Sequence, residues 1–220
     1  MAKIFAINGS PRKDGNTAKL LKRVLEGAES AGAETRLIHL SELNFTGCLS
    51  CFKCKLLNSD GMGRCALKDD LAPILEELLN SDGVVMGSPI YFGAESGLYR
   101  NFLERFFFPL LRYTDPVGTA APKKFDFGFV YTMNVSSEQM VQYGYRDFLE
   151  KSHRFPPFLL GSKNVYTLYA NDTYQFDDYS RYESSMFDAE HKKRMRETLF
   201  ASDLEKAFEM GKNLVEKSEF

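Results

Sequence analysis

The fold is decided by the stretch Lys3-Ile-Phe-Ala-Ile-Asn-Gly-Ser-Pro-Arg-Lys-Asp-Gly-Asn-Thr17. Residues 4–8 are mostly apolar and predict a short strand that is buried on both faces of a parallel sheet. The turn-rich residues 9–15 follow. Asn16 and Thr17 then predict the start of a helix, because their side chains can accept hydrogen bonds from first-turn N–H groups. The stretch therefore predicts a strand, a polar loop and a helix in succession.

The polar loop is suited to binding a phosphate group. Unpaired N–H groups and the positive end of the helix dipole attract an anion to a helix N-terminus, and Ser10, Asn16 and Thr17 add hydroxyl and amide donors. The loop matches neither the G-x-x-x-x-G-K-[ST] motif of nucleoside triphosphatases nor the G-x-G-x-x-G motif of dinucleotide folds, so a monophosphate fits it better. The same residues are common in turns without a ligand, and the motif alone leaves both interpretations open.

The rest of the chain alternates between strand-like and helix-like patterns. Short apolar and β-branched runs predict four further strands, at 34–40, 82–86, 125–133 and 164–169. Apolar residues that recur every three or four positions predict helices at about 16–31, 71–79, 96–108, from 137 onward, and 186–216. Five strands that alternate with five helices predict an α/β fold with a parallel sheet covered on both faces.

Length, composition and charge narrow the class of protein. A chain of 220 residues can bury about 70–75% of its unfolded surface, so we expect a single domain over residues 1–220. A composition of 44% hydrophobic and 26% charged residues is typical of a globular protein. The formal net charge of −2 argues against nucleic acid or a membrane as partner. With the first strand at Lys3 and no long apolar run, we expect no signal peptide and a cytoplasmic location.

Four cysteines lie in one loop at residues 46–68, namely Cys48, Cys51, Cys54 and Cys65. Cytoplasmic thiols stay reduced, so the group indicates a metal site before disulfides. The spacing C-x2-C-x2-C-x10-C is similar to the run that holds a [4Fe–4S] cluster in bacterial ferredoxins. Zinc is the rival, although structural zinc sites more often use two separated pairs of cysteines. Reduced thiols without a metal are the third possibility.

Two loop motifs and the cysteines between them resemble a known family. Gly9-Ser-Pro-Arg12 with Gly15-Asn-Thr17 resembles the FMN phosphate loop of the flavodoxin-like NAD(P)H-dependent FMN reductases. The block Ser81–Gly93 resembles that family's third strand and the loop that covers the flavin ring. With the cysteines, the similarity over residues 3–135 points to the iron–sulfur flavoprotein branch. The resemblance implies a flavodoxin-like five-stranded parallel sheet of order 2-1-3-4-5, with the flavin between strands one and three.

The strand ends and the resemblance together predict the cofactor-binding residues. Tyr91 and Phe92 are candidate cover for the flavin ring, unless they are core or interface aromatics. Arg12 is expected to pair with the phosphate or with a reduced nicotinamide cofactor. The predicted cofactor-binding residues are Ser10, Pro11, Arg12, Asn16, Thr17, Ala18, Pro89, Ile90, Tyr91, Phe92, Gly93, Thr132, Met133 and Asn134. The four cysteines are the predicted metal ligands, although the gap before Cys65 is longer than is usual in this branch.

The leading interpretation is an FMN-dependent oxidoreductase whose flavin is coupled to a [4Fe–4S] cluster, with NAD(P)H as a possible co-substrate. The alternatives are an NAD(P)H-dependent reductase of flavin, quinones or nitro compounds without a cluster, and a non-enzymatic FMN- or zinc-binding redox sensor. No catalytic residue is predicted, because the side chains bind and tune cofactors and the three histidines lie in no hydrolytic motif. The electron donor and acceptor are expected to be small molecules or proteins.

The aromatic-rich residues 171–187 do not belong to any predicted element. Tyrosine and phenylalanine are interleaved there with Asn, Asp and Ser, so the segment is too polar for a core and too aromatic for a plain surface loop. We expect it to pack on another subunit or to cover the mouth of the flavin site. The family resemblance also implies a homodimer or a homotetramer.

Overall fold

Five parallel strands form the centre of the protein in a computed structural model that describes residues 1–124, 126–153, 155–162 and 164–216. The strands are β1 (Lys3–Asn8), β2 (Glu34–His39), β3 (Gly83–Tyr91), β4 (Asp126–Thr132) and β5 (Val165–Ala170). They lie side by side in the order β2-β1-β3-β4-β5, and every neighbouring pair is parallel. This order confirms the predicted flavodoxin-like sheet. Phe125, with which the fourth strand was predicted to begin, lies outside the described residues.

Helices cover both faces of the sheet. In the described part of the chain the α-helices are α1 (Asn16–Ser30), α2 (Leu71–Leu79), α3 (Gly97–Leu110), α4 (Ser137–Gln142), α5 (Tyr145–Ser152), α6 (Phe155–Leu160), α7 (Ala189–Glu197) and α8 (Leu199–Glu216). Apolar residues of α1 and α8 pack on one face, and those of α2 to α6 pack on the other. The core therefore has two layers, one on each side of the sheet.

Close contact with α8 fixes the position of α1. A Cβ atom on Gly27 would lie 2.0 Å from the carbonyl oxygen of Phe208, and one on Gly211 would lie 1.9 Å from that of Val24. Only glycine allows two backbones to approach this closely. The N-terminus of α1, which carries the predicted phosphate loop, is therefore held in place by the packing of the whole helix.

Strand β3 is longer than predicted, because pairing with β4 extends it beyond Met86. Pro89 lies opposite Thr132 in this parallel pair. The chain then reverses through Phe92 and Gly93, whose φ angles are 51° and 82°. Residues Ala94–Glu95 pair back on the end of β3 in antiparallel fashion. The third predicted strand and the loop after it thus form one continuous ribbon.

Several helix ends differ from the predicted ones. Ser96 caps α3 as predicted, but α3 continues past Pro109 to Leu110. The helix predicted from 137 is divided at Gly144, which has a φ of 71°. The predicted helix at 186–216 is likewise divided, at Thr198, into α7 and α8. Within the described ranges, no helix has both the length and the apolar composition that crossing a membrane requires.

Helix α2 buries its predicted apolar face, and the two aspartates that precede it bond to distant parts of the chain. Asp70 makes no side-chain cap, and its carboxylate accepts a hydrogen bond from the Asn44 N–H at 2.8 Å. Asp69 pairs with Arg105 of α3 at 2.7 Å. The Asp69 carboxylate also accepts hydrogen bonds from the backbone N–H groups of Leu71 and Ala72. These contacts join the start of α2 to the cysteine loop and to α3.

Candidate functional site

The loops after β1, β3 and β4 meet at the carboxyl ends of their strands and line one pocket of about 630 Å³. A volume in this range suits a cofactor. Most of the predicted cofactor-binding residues line it, namely Ser10, Arg12, Asn16, Thr17, Pro89, Ile90, Tyr91, Thr132, Met133 and Asn134. The other described candidates lie outside its lining, namely Pro11, Ala18, Phe92 and Gly93. The strand order thus brings together loops that are far apart in sequence.

The start of α1 offers backbone donors to this pocket. Gly15 is the N-cap residue, and no side chain among the described residues caps the helix. This corrects the expectation that Asn16 and Thr17 would cap it, since both lie in the first turn and bond to other parts of the chain. The first-turn N–H groups therefore face the pocket without a side-chain acceptor, and such a helix start binds anions.

Two hydrogen bonds fix the phosphate loop, residues 9–15, and the start of α1 against the strands. The Gly9 N–H donates to the Gly87 carbonyl at 2.8 Å, which joins the ends of β1 and β3. The hydroxyl groups of Thr17 and Thr132 share a buried hydrogen bond of 2.8 Å, which joins α1 to the end of β4. The donors of this loop are therefore held in position before any ligand binds.

The loop after β3 supplies apolar and aromatic surface. Ile90 and Tyr91 line the pocket, and Tyr91 is 48% exposed. Phe92 is fully exposed and does not reach the lining. Gly93 approaches the neighbouring Tyr145 ring so closely that a Cβ atom there would lie 2.8 Å from it. The role of Phe92 as cover for a flavin ring stays a prediction.

Asn134 contributes a buried acceptor to the pocket wall. Its Oδ1 atom has no hydrogen-bond partner among the described residues, while Lys192 Nζ donates to its backbone carbonyl at 2.8 Å. An unpaired buried polar atom costs about 1–3 kcal/mol, and a ligand with an N–H or O–H group can satisfy it. FMN carries such donors as well as a phosphate, so the residues of this pocket fit FMN.

A segment for which the sequence predicted neither a helix nor a strand lines the same pocket. We name residues 172–187 the aromatic strap. Residues 173–177 and Tyr182 of the strap line the pocket, together with Arg196 of α7. The interleaved aromatic and polar residues were the sequence signal for the strap, and covering the flavin mouth was one of its two expected roles. Arg196 lies in a basic, polar helix that gave no signal of a site.

The aromatic strap binds the phosphate loop directly. Arg12 Nη1 donates to the Gln175 carbonyl at 2.9 Å, and Asn16 Nδ2 donates to the Tyr174 carbonyl at 2.9 Å. Tyr179 is buried at the centre of the strap, and the strap's other aromatic rings pack around it. The strap is therefore a small folded unit, and two of its carbonyl groups occupy donors of the predicted phosphate site.

Asp172 anchors the start of the strap to α7. Its carboxylate accepts a hydrogen bond from Lys192 Nζ and pairs with His191 Nε2 at 2.6 Å. Burial acts to raise the pKa of Asp172, but the bonds from Lys192 and His191 outweigh it and hold the pKa below its usual value. The carboxylate therefore stays ionised at neutral pH and compensates the charge of Lys192, which is only 5% exposed.

The four cysteines line a second, smaller pocket of about 20 Å³. All four are free thiols; Cys54 is buried, Cys51 is exposed, and Cys48 and Cys65 are half-buried. Burial raises the pKa of the Cys54 thiol, and the neighbouring ammonium of Lys55 acts in the opposite direction. The chain therefore folds so that Cys65 rejoins the other three cysteines despite the long gap before it.

Helix α3 bonds directly to two of these cysteines. Glu104 accepts a hydrogen bond from the Cys48 N–H at 3.1 Å. Arg105 donates from Nε to the Cys65 sulfur at 2.9 Å. Neither contact had a sequence signal, because Glu104 and Arg105 look like ordinary polar residues of an amphipathic helix. The cysteine loop is thus attached at both of its ends to one turn of α3.

Lys55 attaches the middle of the cysteine loop to the C-terminus of α3. It follows Cys54 in the chain, and its ammonium group donates to three backbone carbonyls at the end of the helix, those of Phe108, Pro109 and Leu111. A cation at this end also complements the helix dipole. Three of the four cysteines are therefore connected to α3, and Cys51 lies on the exposed side of the loop.

The backbone on both sides of Cys51 is strained. Ser50 and Phe52 flank it with φ angles of 51° and 54°, and left-handed backbone costs an ordinary residue about 1–2 kcal/mol. The Ser50 N–H donates to the Cys48 sulfur at 3.4 Å. This bond links the strained turn to the first cysteine.

The donor set of this pocket, four thiols, is the one that iron–sulfur clusters use. In residues 1–124, 126–153, 155–162 and 164–216, no three or more His, Cys, Asp or Glu side chains are placed to hold one metal ion. The cavity between the thiols, about 20 Å³, has room for little more than a water molecule.

The class of protein follows from a match to a family model. The model of the NADPH-dependent FMN reductase family matches residues 2–157, which is well over half of the chain. The protein belongs to this family. The match confirms the family that the two loop motifs and the cysteines predicted.

Its curated relatives narrow the class further. Over 103 residues the chain is 35% identical to an iron-sulfur flavoprotein of Methanocaldococcus jannaschii, covering 47% of this chain and 51% of the relative. It is 37% identical over 103 residues to an iron-sulfur flavoprotein of Archaeoglobus fulgidus, covering 47% and 48%. The matches span about half the length of these relatives. They confirm the predicted iron–sulfur flavoprotein branch.

Solved structures of similar shape confirm the fold. The NAD(P)H:quinone oxidoreductase of Methanothermobacter marburgensis has a TM-score of 0.73 at 16% identity, covering 97% of this chain and 98% of that one. An FMN-dependent NADH-azoreductase of Bacillus anthracis, solved in complex with FMN, has a TM-score of 0.63 at 12% identity, covering 98% and 100%. At these identities the likeness concerns the flavodoxin-like fold alone.

Proposed function

We propose that the protein is an FMN-dependent oxidoreductase and that its larger pocket binds FMN. The observation that carries this proposal is the single pocket formed by the phosphate loop, the loop after β3 and the end of β4. The N-terminus of α1, with Ser10, Arg12, Asn16 and Thr17, is the proposed phosphate site. The proposed ring site comprises residues 89–93 and 132–134. Family membership supports the same cofactor.

Bound FMN supplies redox chemistry at its ring, in steps of one or two electrons. The chain's own residues bind the cofactor and orient it. The bond between Thr17 and Thr132 holds the phosphate loop at a constant distance from the ring site. The Asn134 Oδ1 atom is available to accept a hydrogen bond from the ligand. Tyr91 and residues 173–177 of the aromatic strap form walls on either side of the cofactor.

We also propose that Cys48, Cys51, Cys54 and Cys65 hold a [4Fe–4S] cluster. Two observations support it: the thiols share one pocket, and the curated relatives are named iron-sulfur flavoproteins. A cluster of this kind carries single electrons. The proposed enzyme therefore takes electrons from a donor such as NAD(P)H and passes them to a small-molecule or protein acceptor.

Purification without oxygen, followed by metal and flavin analysis, tests both proposals. We expect tight FMN binding, broad absorption near 400 nm, and about four iron and four sulfide per chain, the content of one cubane. Oxidation of NADH and NADPH is measured with quinone and protein acceptors. Protein that fails to bind added FMN contradicts the first proposal. Protein that binds FMN but holds no iron after reconstitution contradicts the second alone.

The second candidate function is an NAD(P)H-dependent reductase of flavin, quinones or nitro compounds that has no cluster. The small size of the cysteine cavity, about 20 Å³, favours it. It predicts flavin absorption without iron, and turnover that is unaffected when the four cysteines are replaced by serine. Under the first candidate, the same replacement abolishes electron transfer to one-electron acceptors and spares FMN binding.

We propose that the protein assembles as a homodimer or homotetramer in the cytoplasm. Exposed apolar side chains around the cysteine loop support self-association, with Leu49 64%, Phe52 50% and Leu57 78% exposed. The free thiols suit a reducing compartment. Light scattering of the FMN-loaded protein measures the assembly, and a monomeric mass at micromolar concentration contradicts it.

A further inference from the structure

Arg105 is a buried cation on α3 that the redox chemistry does not explain. It is only 1% exposed. Taking a guanidinium group out of water costs several kcal/mol unless its hydrogen bonds are well satisfied. Its neighbours on the same helix face are the buried rings of Phe102 and Phe106, and an apolar residue fits such a face at less cost. The presence of arginine there therefore calls for a specific role.

The hydrogen bonds of Arg105 converge on the two ends of the cysteine loop. Its guanidinium makes a bidentate pair with the Asp69 carboxylate, at 2.7 and 3.0 Å. It also donates to the Thr46 carbonyl at 2.9 Å and, through Nε, to the Cys65 sulfur at 2.9 Å. One rigid, planar group thus joins the first residue of the loop, its last cysteine and the start of α2.

We propose that Arg105 is the positioning residue of the cysteine site. It holds Cys65 within reach of the other three thiols across the ten-residue gap. Its Nε–H donates the hydrogen bond that sets the reduction potential of the cluster bound to that sulfur. This inference rests on the proposed [4Fe–4S] site. A lysine cannot replace it fully, because an ammonium group lacks the planar fork that contacts Asp69, Thr46 and Cys65 together.

A role in folding alone makes a different prediction. If Arg105 serves only to pair with Asp69, then Asp69→Asn and Arg105→Lys have the same consequences for the cysteine site. If the bond to Cys65 matters, the two variants differ, because Asp69→Asn leaves the Nε–H donor in place. Hydrogen bonds to cluster sulfurs stabilise the more negative reduced state and so raise the reduction potential.

The experiment compares four variants of the full-length, FMN-loaded protein after anaerobic reconstitution. These are Arg105→Met, Arg105→Lys, Asp69→Asn and the control Arg64→Met, which removes an exposed arginine next to Cys65 that pairs with Glu76. For each, we measure iron and sulfide per chain, the rate of iron loss to a chelator, the cluster reduction potential and the FMN dissociation constant. The last reports whether the fold is intact.

We expect Arg105→Met to lose iron to the chelator about ten times faster than wild type, the usual penalty for losing a partner of a metal ligand. Arg105→Lys should retain a cluster whose reduction potential is more negative than that of wild type. Arg64→Met should keep the wild-type potential. Asp69→Asn keeps the Nε–H donor and removes a nearby negative charge, so its potential should be no lower than that of wild type. All four should bind FMN within about twofold of wild type, because Arg105 lies outside the flavin pocket.

The outcomes separate the two proposals. Wild-type protein that binds FMN but no iron ends the cluster proposal and this inference with it. Wild-type protein with four irons, together with an Arg105→Lys potential that equals the wild-type or the Asp69→Asn value, overturns this inference alone. If Arg105→Met does not fold, as shown by loss of FMN binding, the potential of Arg105→Lys decides the question.

Discussion

Loops at the ends of three parallel strands form the candidate flavin pocket, whereas long side chains that reach one helix hold the cysteine pocket together. In the flavin pocket, short bonds such as Thr17 to Thr132 join residues that the sheet already places side by side. In the cysteine pocket, Lys55 and Arg105 bridge between an irregular loop and α3. The first site depends on topology, and the second depends on individual ionic contacts.

This difference means that the two sites should fail independently. Removing a contact in the flavin pocket leaves the sheet to preserve most of the geometry, so the loss should be partial. When an ionic contact of the cysteine loop is removed, no α-helix or β-strand in the loop keeps the cysteines in place.

Helix α3 connects the two regions. Ser96 at its start donates a hydrogen bond to the Gly9 carbonyl at 2.6 Å, and its last turns contact the cysteine loop.

The largest expected effect follows from Cys54→Ser, which removes the most buried thiol of the cysteine loop. Iron content should fall to less than about one per chain, since a cubane needs its thiolate ligands. FMN affinity should stay within about twofold of wild type. Iron analysis and fluorescence titration of FMN measure the two quantities, with Ser59→Ala in the same loop as control. A parallel loss of FMN binding would show that the two sites are not independent.

Acid should destabilise the half of the sheet that supports the flavin pocket. Burial lowers the pKa of His153 from 6.5 to about 4, and its Nε2 lies 2.9 Å from the Tyr131 hydroxyl of β4. Because the unfolded histidine takes up a proton below about pH 6.5 and the folded one only near pH 4, stability falls as the pH drops through this window. The full difference is about 3 kcal/mol.

Chemical denaturation at pH 7 and pH 4.5 measures this loss in free energy of unfolding. The variant His153→Gln should lose less stability between the two pH values than wild type does, because its side chain does not titrate. An equal loss in both proteins would mean that other groups account for the acid sensitivity.

A smaller effect is expected when Lys55 is replaced by methionine. The variant loses charge-assisted bonds to the last carbonyls of α3, and each such bond contributes about 1.5–3 kcal/mol in favourable cases. Since Lys55 is only half-buried, we expect the free energy of unfolding of the metal-free protein to fall by about 2 kcal/mol. Lys53→Met, two residues away and exposed, is the matched control. Equal stability of both variants would show that Lys55 does not stabilise the attachment of the cysteine loop to α3.

The smallest effect is expected in the flavin pocket itself. Thr17→Val keeps the shape of the side chain but removes its buried hydrogen bond to Thr132, so FMN affinity should fall about fivefold to tenfold. Thr17→Ser keeps the hydroxyl and should bind FMN nearly as well as wild type. Isothermal titration with FMN measures both. A Thr17→Val affinity equal to wild type would show that the sheet alone fixes this loop.

The sequence predicted which loops meet at the larger pocket better than it predicted the contacts of the cysteine pocket, for a physical reason. Alternating strands and helices determine the strand order, and strand order determines which loops meet, so Ser10, Tyr91 and Thr132 could be assigned to one crevice without any coordinates. The exact ends of elements were less predictable. Pairing with β4 lengthened β3, and Gly144 interrupted the helix predicted from 137.

Contacts between distant polar side chains had no pattern in the sequence. Arg105 looks like an ordinary polar residue of an amphipathic helix, yet it is buried and bonds to the cysteine loop. Its ion-pair partner Asp69 lies 36 residues earlier in the chain. Gln175 reaches the larger pocket from the aromatic strap and Arg196 reaches it from α7, and no local rule determines the path of either segment. Such contacts depend on the final three-dimensional arrangement, and the spacing of apolar residues along the sequence does not predict them.

The contacts between the aromatic strap and the phosphate loop have a kinetic consequence. Arg12 and Asn16 donate to strap carbonyls, and a phosphate that takes up these donors must exchange with the strap. At the proposed FMN site, binding and release of the cofactor would therefore both include a rearrangement of the same segment. Loosening the strap should speed arrival and departure together, which shortens the residence time of the flavin while its equilibrium affinity changes little.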